Sequence, residues 1–121
     1  MDAYYADEFV LPLPEGHRFP MAKYRLLRDR IAEELPETRL HVAPTAGDEE
    51  LARVHLPEYI ATIAQGTLAP AAQREIGFPW SEAMAERARR SVGATLAAAR
   101  SALRHGLAGN LAGGTHHAYV G

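Results

Sequence analysis

The chain has 121 residues and a mass of 13.2 kDa, enough for one domain or for one piece of a larger one. Hydrophobic residues make up 47 %, but 23 of those 57 are alanine, and only 29 residues are Leu, Ile, Val, Met, Phe or Trp, so the core is thin for the length. No cysteine is present, which excludes a disulfide scaffold and a thiolate metal site. No apolar run approaches the ~20 residues of a transmembrane helix. A net charge of -2 and a pI near 6.3 argue against general affinity for nucleic acid. Met1-Asp2-Ala3-Tyr4-Tyr5 does not resemble a signal peptide, so a cytoplasmic protein with neither membrane nor nucleic-acid partner is expected.

In chain order, a short strand is predicted near residues 3–6. A helix follows from about Pro20 to Leu35. Pro20 suits its first position, Tyr24, Leu27 and Ile31 give it an apolar face, and Pro36 stops it. Arg39–Val42 is a second strand candidate. Thr45 is read as an N-cap, with Asp48 at the third position of a helix running through Leu51 and Val54 to about His55. Pro57 restarts a helix bearing Tyr59, Ile60 and Ile63, which Gly66 ends.

The longest element is predicted from Ser81, a good N-cap, to His105, with Gly106 as its terminator. Met84, Ala88, Val92, Leu96, Ala99 and Leu103 recur at spacings of three and four and read as one buried stripe. Arg87, Arg89 and Arg90 fall off it and read as a solvated basic face. Alternation of strands with helices points to an α/β sheet protein rather than a helix bundle.

Chemistry is concentrated at the end of the sequence. Residues 105–121 carry no Asp, Glu, Lys or Arg, and they include Gly113-Gly114-Thr115-His116-His117. Imidazoles need partners at both nitrogens and transfer protons near neutral pH. Gly113 and Gly114 would let main chain approach a ligand closely. A His-rich surface loop or a metal-binding tail has the same composition, although adjacent residues on a strand point apart and do not naturally share one ion.

Asn110-Leu111-Ala112-Gly113-Gly114-Thr115-His116-His117-Ala118 resembles the tandem-histidine motif of the histone deacetylase superfamily, which includes acetylpolyamine amidohydrolases and bacterial acetoin-utilisation deacetylases. Three upstream segments resemble the family in the same order: Gly16–Tyr24 its first loop and helix, Val54–Ile60 its His-x-x-x-Tyr-Ile segment, and Ile76–Ser81 the bacterial members.

The resemblance implies the N-terminal part of an arginase–deacetylase-type α/β domain, a parallel sheet flanked by helices, truncated after the tandem histidines. It implies a zinc-dependent hydrolase of a linear amide in an acetyl-lysine or related acetylated amine, releasing acetate. His117 would be the general base and then the general acid, and His116 would stabilise charge in the transition state. The family's zinc ligands, an Asp-x-His pair and a further Asp, lie beyond the tandem histidines. None of Asp2, Asp7, Asp29 or Asp48 is followed two places later by His, so the ligands are absent from this chain and it would be inactive alone. The family's late active-site tyrosine has no counterpart either.

Gly113, Gly114, His17 in the first loop and Phe78 beside Pro79-Trp80 are the substrate-binding candidates. His17 also suits a surface role, and Phe78 could equally pack its loop onto the long helix. His55, at a helix junction, reads as a structural hydrogen-bonding residue, and His105 as a partner of a helix dipole. The rival reading is a non-catalytic helical module whose arginine-bearing helix contacts acidic partners.

Overall fold

The computed structural model describes residues 1–9, 12–13, 15–16 and 20–113. Three strands form a parallel sheet: β1 (Asp2–Tyr5), β2 (Arg39–Val42) and β3 (Ala108–Asn110), in the order β2-β1-β3. Among the described residues five helices connect them: α1 (Ala22–Glu34) between β1 and β2, then α2 (Asp48–Leu51), α3 (Pro57–Gln65), α4 (Pro70–Ile76) and α5 (Glu82–His105) before β3. The fold is therefore α/β, as expected of an arginase–deacetylase-type segment. In register, Tyr4 lies opposite His41 on one side and Asn110 on the other.

The helix ends follow from local chemistry, with three corrections. Pro20 lies outside α1, whose N-cap is Met21; Leu35, ahead of Pro36, leaves the helical region at φ −127° and ends it. The N-cap of α2 is Gly47, not Thr45. The carbonyls of Ala43 and Ala46 and the Ala46 N–H are bound to α5, so the chain cannot turn helical until residue 47. The Glu50 carboxylate accepts the Gly47 N–H at 3.1 Å; that bond, with help from Arg100, holds its carboxyl below the usual range. Helix α2 also ends at Leu51 rather than His55: the Arg53 and Val54 N–H groups bond three residues back, to Glu50 and Leu51, and tighten the chain into turns before Leu56 extends ahead of Pro57.

Gly66 and Gly106 close α3 and α5 at positive φ, as predicted. The Ser81 hydroxyl accepts the Met84 N–H at 2.9 Å, a true N-cap. Helix α4 was not foreseen.

The core between sheet and α5 is built of small residues. Ala6, Ala43, Ala94 and Ala112 form its centre, with Tyr4 and Phe9 packed against it. The face that α5 buries is Met84, Arg87, Gly93, Ala94, Ala98 and Ser101. The predicted stripe is corrected accordingly: of its members only Met84 and half-buried Leu96 are shielded, and Leu103 is 89 % exposed. Helix α1 is similar, since Tyr24 is buried, Ile31 half-buried and Leu27 exposed.

Small residues let α5 lie close. A Cβ on Gly93 would stand 1.8 Å from the Pro44 carbonyl oxygen, so only glycine admits the β2–α2 connection there.

Candidate active-site edge

In open parallel sheets, ligands bind outside the carboxyl ends of the strands, where the strand order reverses. Here the chain leaves β1 for β2 on one side and returns to β3 on the other, so the reversal lies between the carboxyl ends of β1 and β3. From β1 runs the connection to α1, the stretch of sequence that includes His17. From β3 run Leu111, Ala112 and Gly113, and in sequence the histidine pair follows after two more residues. His17, Gly114, His116 and His117 themselves lie outside the described residues.

Helix α5 runs antiparallel to the strands. Near its start, Arg87 bonds to the residue just past β1; near its end, Ser101 bonds to Asp2 at the opposite edge. The Phe78–Trp80 loop thus enters α5 from the carboxyl edge. Phe78 is half-buried, and its carbonyl accepts from Gln73 Nε2 at 2.6 Å. Trp80 donates its indole N–H to the Ile63 carbonyl at 2.6 Å and packs on Gly66. These contacts fasten the loop to α3 and α4, rather than onto the long helix as the packing alternative had it.

The segment before the histidines is held from several sides. Ala112 donates its N–H to Asn110 Oδ1 at 2.7 Å. Asn110 Nδ2 in turn donates to the Ser91 carbonyl at 3.1 Å and to Thr95 Oγ1 at 2.8 Å. The Ala112 carbonyl accepts from Arg87 Nη2 and Ser91 Oγ, each at 3.4 Å. A Cβ at Gly113 would press on Asn110 Nδ2 at 3.1 Å, so this glycine already serves the turn itself.

Arg87, Arg89 and Arg90 do not form the solvated face expected of them. Arg87 is 5 % exposed; it donates to the Ala6 carbonyl at 3.0 Å and stacks over Tyr24, 4.3 Å from the ring centre. Arg90 donates to the Ala43 carbonyl at 2.8 Å, pairs with Glu86 at 2.9 Å and covers the Phe9 ring at 4.3 Å. Arg89 reaches the Ala46 carbonyl and Asp48. On the β1 exit, Arg28 pairs with Asp7 at 3.0 Å and lies over Tyr5. Loop carbonyls past the strand ends need donors, but bonds to main-chain carbonyls leave no residue pattern by which the sequence could show it.

At the opposite edge, the buried Asp2 carboxylate accepts from Ser101 Oγ at 2.6 Å, Arg39 Nε at 2.7 Å and His41 Nε2 at 3.0 Å. The Ser101 bond above all, then those of His41 and Arg39, holds its carboxyl far below the usual range. The cluster ties β1, β2 and α5 together away from the histidine segment.

An open cavity of about 510 Å³ lies between α5 and the helices α3 and α4, lined by Met84, Ala88, Val92, Ile63 and Ile76 among others. Among the described residues its lining includes neither Ala6 nor Ala112. His55 lines it, and among the described residues its Nδ1 is enclosed without a hydrogen-bond partner. The ring rests against Tyr59 at 5.7 Å, so that nitrogen does not fill the hydrogen-bonding role predicted for His55.

Among the described residues no group of three or more His, Asp or Glu could hold a metal ion, so they do not fit a catalytic zinc. No helix among them is long and apolar enough to cross a membrane.

The family model for the histone deacetylase domain matches residues 17–121. The chain is also 44 % identical, over 119 residues, to an uncharacterized protein of Picosynechococcus sp. strain PCC 7002; the match covers 97 % of this chain and 40 % of that relative.

Proposed function

The chain belongs to the histone deacetylase family, and we propose that it is the N-terminal portion of a single deacetylase domain carrying the histidine pair of a zinc-dependent enzyme. The reaction is hydrolysis of the amide in an acetylated lysine or a related small acetylated amine, releasing acetate. The observation that carries this reading is the reversal point of the sheet. There Asn110–Gly113, the start of the tandem-histidine motif, leaves β3 beside the exit of β1. In this reading His117 accepts a proton from the attacking water and delivers it to the departing amine nitrogen, and His116 stabilises the developing charge. Gly113, Gly114, His17 and Phe78 border the substrate.

In this reading the side chains that would hold zinc, an Asp-x-His pair and a further Asp, belong to the rest of the enzyme, since no Asp of this chain is followed two places later by His and its described residues do not fit the metal. Exposed Leu26, Leu27, Leu103 and Leu107 support a segment that continues into a larger domain, since apolar surface of that kind ordinarily packs against further structure. The rival binding-module reading loses its motive, because Arg87, Arg89 and Arg90 are engaged within the chain.

The test uses the full gene product with an acetyl-lysine peptide and an acetylpolyamine. The His117→Ala variant is expected to lose turnover by ~10²–10⁴-fold, with zinc content unchanged. Near-wild-type turnover in that variant would remove His117 from the mechanism.

A further inference from the structure

We propose that Arg87 is a positioning residue that sets where the histidine-bearing segment leaves the sheet. The inference rests on the deacetylase reading for its kinetic consequence, but its geometry is independent of that reading. Arg87 is buried, and among the described residues it has no carboxylate partner. Filling the same volume with an apolar side chain would avoid the desolvation of a guanidinium. Its fork is instead divided between two main-chain carbonyls. Nη1 reaches Ala6, one residue past β1, and Nη2 reaches Ala112, two residues past β3. The plane of the group lies over Tyr24 of α1.

One side chain of α5 therefore spans the exits of both strands that flank the reversal point and braces them on α1. Ladder hydrogen bonding has ended at these carbonyls, and Arg supplies two donors in fixed relative geometry. A lysine offers one compact charge and cannot span both acceptors in the same way. His116 and His117 follow Ala112 by four and five residues in sequence, so holding the Ala112 peptide holds the point from which their segment starts.

Misplacing a reacting group by an ångström can cost ~10²-fold in rate, with little change in ground-state binding. In the full gene product, Arg87→Met is expected to lower kcat by ~10²-fold while KM changes by less than about threefold. Arg87→Lys should fall between the two. In Arg87→Ala, whose truncated side chain leaves room for it, added guanidinium should restore part of the rate, which a general loss of stability would not allow. As a control, Arg30→Met should leave kcat unchanged, since among the described residues exposed Arg30 pairs with Glu34 alone, on the surface of α1.

Magnetic resonance gives a readout independent of turnover. In Arg87→Met the imidazole signals of His116 and His117 and the amides of Ala112 and Gly113 should move, while those of Asp2 and Ser101 stay in place. Unchanged imidazole signals would overturn the proposal, and so would an unchanged kcat in an active enzyme. If the wild-type protein hydrolyses no acetylated amine, the deacetylase reading fails and the imidazole signals alone decide the role of Arg87. If Arg87→Met does not fold, Arg87→Lys carries the same two readouts.

Discussion

Replacing Gly93 by alanine sets two magnitudes against each other. In an unhindered helix interior, Gly→Ala stabilises by about 1 kcal/mol. Here the new methyl would lie 1.8 Å from the Pro44 oxygen, 2.7 Å from its carbonyl carbon and 3.0 Å from the Ala46 nitrogen. All three are main-chain atoms, and relief requires the loop to retreat by about an ångström. That loop is pinned to α5 by the Ala46 N–H on the Arg89 carbonyl at 3.0 Å, by Arg90 on the Ala43 carbonyl and by Arg89 on the Ala46 carbonyl. Retreat weakens several hydrogen bonds worth about 1 kcal/mol each, and overpacking adds roughly 1–3 kcal/mol. After the propensity gain, a net loss of about 2–4 kcal/mol is expected. In thermal unfolding of the full gene product this corresponds to a fall in Tm of roughly 5–10 °C. Ala99→Gly on the exposed side of α5 is the control and should cost only about 1 kcal/mol. A Gly93→Ala protein as stable as wild type, or more so, would refute the close approach of loop and helix.

The Asp2 carboxyl is depressed in the folded state, so its contribution to stability is fully present above the unfolded value of about 3.9 and is lost as pH falls toward the folded one. The difference in unfolding midpoint between wild type and Asp2→Asn should be constant above about pH 5 and shrink on acidification below about pH 4; a difference that widened instead would contradict the assignment. The 121-residue chain dialysed against a mild chelator should retain no stoichiometric zinc and release no acetate from an acetyl-lysine peptide. One tightly held zinc per chain, measured by elemental analysis, would show that the chain holds a complete site.

Much of the fold was legible where punctuation residues act locally. Pro57 starts α3, Gly66 and Gly106 end helices, Pro36 stops α1, and Ser81 caps α5; each effect depends on two or three neighbouring residues. Helix α4 escaped although Pro70 and Gly77 bracket it with the same signals, because seven residues give too few turns for a periodic face to stand out. The start of α2 was misplaced for a nonlocal reason. Thr45 is a suitable cap, but its loop is held by arginines more than forty residues away in sequence. The order of the site segments was readable from their motifs, whereas the scaffold behind Ala112 was not, since hydrogen bonds to main-chain carbonyls leave no residue pattern.

The error on α5 comes from how periodicity carries information. The apolar series from Met84 to Leu103 is real, and its first half, Met84, Ala88 and Val92, faces α3 and α4 across the cavity. Against the sheet, however, the helix turns alanine, serine, glycine and Arg87. Hydrophobicity ranks faces by what they gain from leaving water, and it ranked this one low. Close packing ranks them differently: an alanine face lets helix and sheet approach, and approach brings loop carbonyls within reach of arginine. Burial of Arg87 is thus a consequence of the small core around it. The same alanine enrichment that made the chain look short of core places the helix close enough to hold both strand exits.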